Sequence, residues 1–466
     1  MKQTNKYIAF ALAGLVAFSS CKKELDLQPI DEFSESVAYL NMTDIKAGVN
    51  TAKARYSTYI NDMYASALTS DEAKLGTGNA GQGALEYRFQ YAADGTSGGS
   101  VQAAFPGYYL LIDQVNRVLP KIATVTATTA EEPLRNIYKG QLLALRGIAH
   151  YDLLKNYSKN YNPADPLGVA IMTVSNPLIR PSRNTMGDVM AQIETDLADA
   201  KALLPDVTPG TFDDLTINKV NIAAFQARIA LYKGDYAQAV AYATEVINSG
   251  VKPLSSGPQF QAIWTDDTQE EILFRVRFET NSSVGSLWTT TGGTIYIAPS
   301  DKLVNSYDAN DIRLPAYIGT ISTGRCVNKF FASSRGGRIV DIKACRIAEM
   351  YLIRAEANAK KAAPDVAAGA ADLNLLRSNR IPGYTNQTFG SAAALITAVL
   401  EERFKELAFE GFRFYDLKRN NLPVERLSSD ASAAWQTLDA GNFRFVYPIP
   451  QTEINANPNM VQNDGY

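Results

Sequence analysis

Three carboxylates recur four residues apart near the C-terminus, Glu402, Glu406 and Glu410. That spacing places them on one face of a helix. Arg403, Gly411, Arg413, Asp416 and Arg419 follow closely. Such a set offers two kinds of chemistry. A carboxylate pair could divide acid and base roles on a glycosidic bond. Alternatively, acids and guanidiniums could neutralise one another in a network that ties the helix to the chain beyond Gly411, where a glycine can end it. The same stretch carries the apolar stripe Ile396, Val399, Leu400, Phe404 and Leu407, which buries the helix, so the network is the expected role. His150 is the only histidine. It lies on a helix-period stretch with Leu142, Leu145, Ile148 and Leu153, and is expected to pack rather than catalyse.

No nucleophile elbow, phosphate loop or His-Glu-x-x-His sequence is present. Beyond Cys21 the thiols are Cys326 and Cys345. With one histidine they cannot build a zinc site of the usual type, and they can either pair or stay free. No metal and no cofactor is expected. The formal charge of −3 gives no reason to expect nucleic acid as a partner.

The N-terminus points to export. Lys2 and Lys6 precede an uncharged run from Tyr7 to Phe18, and Ser19-Ser20 lead to Cys21. A basic start, a short apolar core and small residues at the cut describe a signal peptide over 1–20, with a cysteine placed for acylation. Phe18 stands where such sites favour leucine. The polar stretch over 21–34 then suits a tether, and the body is expected to be held to a membrane by its lipids.

The remainder, 35–466, reads as a single mostly α domain. Amphipathic helices are expected over 44–68, 108–118, 133–157 and 188–204. The clearest unit is 218–249, two helices around Gly234-Asp235-Tyr236 with Ala227 and Ala239 small enough for a close crossing. It matches a tetratricopeptide repeat. Further repeat-like pairs lie near 133–157, 346–380 and 392–419. Their uneven spacing leaves long insertions, and 71–107 and 250–343 are expected to form a loop-rich face with a few short strands, the best of them 271–278.

Three segments carry a resemblance. Glu402-Arg-Phe-Lys-Glu-Leu-Ala-Phe-Glu-Gly-Phe-Arg-Phe-Tyr-Asp-Leu-Lys-Arg419, Arg346-Ile-Ala-Glu-Met-Tyr-Leu-Ile-Arg-Ala-Glu-Ala357 and Tyr447-Pro-Ile-Pro-Gln-Thr-Glu-Ile-Asn-Ala-Asn-Pro458 resemble the SusD/RagB family of surface lipoproteins, in the same order. The resemblance implies a non-catalytic protein on the outer face of the outer membrane. It also implies a partner, a SusC-like TonB-dependent transporter, to which the protein delivers an oligosaccharide, or an oligopeptide on the RagB side. A helical glycosidase is the less favoured alternative. The repeat face is expected to meet the transporter and the loop-rich face the ligand.

Sugar recognition needs flat apolar platforms beside polar groups, which tyrosine and tryptophan supply. With 24 tyrosines, position must decide. Tyr87, Arg88 and Tyr91 lie in the glycine-rich early loop, equivalent to one that holds much of the family's glycan site. Trp288 and Tyr296 lie in a Gly/Thr-rich loop, where Trp288 is expected to be exposed for stacking. Trp264 is expected in the core, and Trp435 is given no role.

Overall fold

In a computed structural model of the chain, residues 38–94, 99–280 and 284–466 are described. The expected signal peptide 1–20, the acylation site Cys21 and the tether 21–34 lie outside them. Asn41 opens α1 (Met42–Arg55) with a capping box. Its Oδ1 accepts the Thr43 and Asp44 N–H groups, and Asp44 accepts the Asn41 N–H in return. A 3-10 turn, Tyr56–Thr58, leads into α2 (Tyr59–Thr69), so the stretch read as one helix is two with a tightened joint. The next helix, α3 (Gly99–Ile122), starts well before the expected Tyr108. Its glycines lower helix propensity, but Gly107 has a packing reason. A Cβ there would lie 1.9 Å from Thr58 Oγ1, so only glycine lets α3 cross the joint this closely.

Beyond it come α4 (Glu132–Tyr157) and α5 (Met186–Leu203), packed together and tied by Arg146, whose Nε and Nη2 donate to Asp196 at 2.8 and 2.6 Å. The pair α6 (Lys219–Lys233) and α7 (Tyr236–Asn248) is set by local chemistry. Asn218 caps α6 in a second capping box, Gly234 ends it at φ +83°, and Asp235 accepts the Gln238 N–H to start α7. Ala227 and Ala239 are fully buried. Then follow α8 (Ile347–Lys360), α9 (Val366–Ser378), α10 (Ala392–Glu406) and α11 (Arg413–Arg419). Successive helices pack as neighbours: α1 on α3, α3 on α4, α7 on α8, and α8 on both α9 and α10. Leu352, Leu373, Leu376, Leu395 and Val399 fill a separate core among the last three.

The strands are few and short. β1 (Ala73–Leu75), β2 (Ile272–Val276), β3 (Ile297–Pro299), β4 (Ile318–Ile321), β5 (Gly324–Val327) and β6 (Ile342–Arg346) pair antiparallel as β1–β3, β2–β6 and β4–β5. Strand β2 is buried at every position, its one charged side chain, Arg275, being paired with Asp214 and Asp341. Cys326 on β5 and Cys345 on β6 are free, buried thiols. Among the described residues no helix is long and apolar enough to cross a membrane.

Candidate functional site

Helix α10 ends at Glu406, so Glu402 and Glu406 are helical and Glu410 is not. The chain turns through Phe409 (φ +64°) and Gly411 (φ +88°). A Cβ on Gly411 would come within 3.3 Å of Met63 N and Tyr59 Oη, and the Tyr59 hydroxyl donates to the Glu410 carbonyl at 2.9 Å. Gly411 therefore seats the turn against α2 rather than ending the helix, which stops five residues earlier.

The three glutamates take their partners from distant segments. Glu402 accepts from Arg313 (2.5 Å) and Arg377 (2.6 Å). Glu406 lies 3.0 to 3.2 Å from Arg313, Arg346 and Arg380. Glu410 accepts from Arg346 and Lys329, both at 2.7 Å. Glu271 completes the set through Arg346 (3.0 Å) and Arg380 (2.8 Å). The neighbouring cations pair elsewhere: Arg403 with Asp416 at 2.8 Å, and Arg413 with Asp71 at 2.7 Å. Arg313, Arg346 and Arg380 are fully buried. Burial opposes the charge on Glu402, but Arg313, Lys405 and Arg377 outweigh it and hold its carboxyl at about 2. Against the same opposition, Arg380, Arg346 and Arg313 hold Glu406 well below the carboxylate range. These groups are ionised, paired and sealed from solvent. Such an arrangement fixes how α9, α10, β2 and β6 meet.

Tyr87 and Arg88 reach an open cleft of about 330 Å³ between the short helix Ala84–Tyr87 and the segment Asp430–Trp435. Arg88, Gln90 and Ser432 are exposed, and Trp435 is partly buried at the end of a 3-10 turn. Tyr87 is itself buried and forms the wall. Its hydroxyl donates to the Asp430 carbonyl at 2.7 Å, and its ring lies 3.9 Å from the Arg426 guanidinium carbon. Arg426 ties the two sides together by donating to the carbonyls of Ser70 (2.8 Å), Leu68 (2.7 Å), Tyr87 (2.6 Å) and Trp435 (3.0 Å). The Asp430 carboxylate is occupied. It accepts the Asp301 and Lys302 N–H groups at 2.6 and 3.1 Å and lies 3.4 Å from the Lys74 ammonium. The cleft thus offers an indole, a guanidinium, an amide and a hydroxyl.

The other expected ligand residues stand elsewhere. Trp288 is 1% exposed rather than open to solvent. Its ring packs among Tyr64, Phe330 and Phe409 at centroid distances of 5.3 to 5.8 Å. Its loop folds back so that the Trp288 carbonyl accepts the Tyr296 and Ile297 N–H groups. Thr291, Gly292 and Thr294 form the exposed tip of a turned loop whose large apolar side chains Trp288 and Ile295 are buried. Tyr91 is fully buried between Tyr447 and Tyr466, and its hydroxyl donates to the Arg444 carbonyl. Tyr296 is partly buried, and its carbonyl accepts from Gly76 N (2.8 Å) and Asn79 Nδ2 (2.9 Å), fixing the glycine-rich loop to β3. The sequence around Trp435, Ser428-Ser-Asp-Ala-Ser-Ala-Ala-Trp435, is as loop-like as the surroundings of Trp288. Composition alone does not separate the two.

His150 is fully buried. Its Nδ1 lies 3.0 Å from the Arg146 carbonyl, and its Nε2 accepts the Met172 N–H at 3.2 Å, which fixes the neutral tautomer. Burial lowers its value to about 4. Among the described residues no group of three or more His, Cys, Asp or Glu side chains is placed to hold a metal.

Comparison with known proteins adds to this geometry. A family model described as SusD family matches residues 316–466, and one described as starch-binding, associating with the outer membrane, matches 25–231. A SusD-like protein, P2, of Formosa agariphila is 23% identical over 528 residues, spanning 99% of this chain and 100% of its own. A solved structure of a putative sugar binding protein from Bacteroides vulgatus matches with a TM-score of 0.81 at 25% identity, over 92% of this chain and 100% of its own. A SusD superfamily protein from Bacteroides thetaiotaomicron gives 0.79 at 26% identity, over 91% and 100%.

Proposed function

The chain belongs to the SusD family, and on that premise we propose that it captures oligosaccharides at the outer membrane and passes them uncleaved to a SusC-like TonB-dependent transporter. The observation that carries this reading is the open cleft around Trp435. An indole gives a sugar ring a flat apolar face, while Arg88, Gln90 and Ser432 reach its hydroxyls. Asp430, the one carboxylate among the described residues lining the cleft, is held by two backbone N–H groups and Lys74. A glycosidase would need two accessible carboxyl groups flanking the bond, so the cleft suits retention rather than hydrolysis.

Placement follows from the N-terminus. Acylation of Cys21 would tether the body to the outer face of the outer membrane, with 21–34 as spacer. Tyr39, near the start of the described residues, lies against Gly48, and its hydroxyl accepts from Gln114 on α3. The helical repeat array then forms the face toward the transporter, and the loop-rich segments form the ligand face.

The test is capture from a mixture. The full chain, purified in detergent, is incubated with pooled neutral oligosaccharides and with pooled oligopeptides, and the retained ligand is released and analysed. Recovery of intact glycan supports the proposal. Recovery of peptides alone assigns the oligopeptide reading, and shortened glycans would establish hydrolysis instead.

A further inference from the structure

A second cleft, of about 480 Å³, lies where three segments meet: the chain after α4 (Lys159–Leu167), the turn after α11 (Asn421 and Leu422) and the stretch Gly441–Val446. It shares no lining residue with the Trp435 cleft. Phe443 and Leu422 are each 38% exposed here, unusual for large apolar side chains that line one hollow. The Phe443 ring is nevertheless fixed. Tyr466 meets it edge-on at 5.1 Å, the Arg444 guanidinium lies 4.9 Å from its centroid, and Gly465 approaches so closely that a Cβ would stand 2.4 Å from the ring.

Two lysines line it, Lys418 and Lys159, beside two acids, Asp165 and Asp464. Lys418 donates to the carbonyls of Lys155 (2.9 Å) and Ser158 (2.6 Å), closing the C-terminal end of α4. An ammonium has three protons to donate, so one remains. Among the described residues no carboxylate lies within ion-pair distance of it. The charged neighbour is a second ammonium, Lys155, whose own charge is met by Asp62 and Asp152. On its own helix, Asp416 and Arg419 are engaged with Arg403 and Glu356. At the rim Lys159 is exposed and makes no hydrogen bond among the described residues. The acids there, Asp165 and Asp464, favour the charge on Arg183 without pairing with it among the described residues, and Asp165 also accepts from Asn160 and Leu167 N.

We propose that this cleft binds an acidic saccharide, a sugar residue bearing a carboxylate or a sulfate ester, with its C–H face on Phe443 and Leu422 and its anionic group received by Lys418 and Lys159. Asn421, whose side chain makes no hydrogen bond among the described residues, and the free amide nitrogen of Asn442 supply donors for ring hydroxyls. Desolvation and Lys155 disfavour the charged form of Lys418, and an anionic ligand would favour it. A peptide fits less well, because the lining comes from turns and a helix end and presents no open strand edge for a backbone ladder. The proposal rests on the glycan-capture reading for its ligand class alone.

The experiment is calorimetric titration of the full chain in detergent with three matched ligands: a uronate oligosaccharide, its carboxyl-reduced counterpart and a sulfated oligosaccharide. An acidic oligopeptide is the fourth. The expected result is binding of one or both acidic sugars, weakened about tenfold by carboxyl reduction and by each of Phe443→Ala and Lys159→Gln. Because burial and Lys155 bring Lys418 down to about 7, affinity should also fall by about tenfold between pH 6 and 8.5. Lys418 is not substituted, since it caps α4. Equal binding of the reduced sugar, indifference to both variants, binding of the peptide alone, or silence with every acidic sugar would overturn the proposal. Neutral glycan capture at the Trp435 cleft is scored separately, so its failure alongside acidic binding would remove that cleft as the capture site and leave this one standing.

Discussion

Arg346 shows what single residues do in this protein. Fully buried, it reaches Glu271, Glu406 and Glu410, joining β6 to α10 and to the turn that follows. Replacing one member of a buried set strands the rest. Arg346→Met should therefore cost about 3–5 kcal/mol, read as a lower urea midpoint with little change in slope. Glu72 makes a different case. It is fully buried, and no side chain hydrogen-bonds its carboxyl among the described residues. Burial raises it from 4.5 to about 8, with Asp71 adding to the rise. A raised acid stays protonated in the fold. Its contribution is intact below pH 4.5, declines as the pH climbs, and is lost once pH passes about 8. Glu72→Gln should flatten that decline, so its stability relative to the parent should increase from pH 5 to pH 8.5. An unchanged difference would mean that Glu72 is solvated. The four-residue spacing of Glu402, Glu406 and Glu410 was legible because it is local. Their partners Arg313, Arg346 and Arg380 were not, because nothing in a linear pattern says which distant guanidinium a buried acid will meet.

At the scale of elements, the close crossing of α3 over the 56–58 joint hangs on Gly107. In an open helix, alanine for glycine would add about 1 kcal/mol. Here the new methyl would collide with Thr58 Oγ1, and the collision should win, for a net loss of about 1–3 kcal/mol. Gly210→Ala, where nothing lies within 4 Å, should be close to neutral, and melting of both variants by circular dichroism checks the contrast. Helix starts and the α6–α7 unit could be read from Asn218, Gly234, Asp235 and the small residues between them. The early part of α3 could not, since its glycines look like loop and are in truth a packing requirement. Loops were the least legible. Trp288 and Trp435 sit in similar polar surroundings, yet one is folded into the core by contacts with α2 and the turn after α10, and the other borders an open cleft. Trp288→Ala should accordingly act on stability, by about 3–5 kcal/mol as a cavity in the core, and not through a lost ligand contact.

Across the whole molecule, the helical array holds a loop-rich face against a buried ionic hub, and the proposed function needs that face to bind without chemistry. The family resemblance was readable from three short segments, because they contain three of the hub's carboxylates, Arg346 and the closing Tyr447–Pro458 stretch. The cleft itself was readable only in part. Tyr87 and Arg88 fall in the early loop, while Trp435 comes from the opposite end of the chain and meets them only through Arg426 and Asp430. In the proposed function this cleft holds an intact glycan on Trp435. The most direct test is a calorimetric titration of the parent chain and Trp435→Ala with the oligosaccharide recovered by capture, the sugar being analysed after each run. Glycan captured at this cleft should bind the parent and emerge unshortened, with affinity about tenfold weaker in Trp435→Ala and the fold unchanged. Equal affinity in the two proteins, or a shortened glycan from the parent, would contradict it.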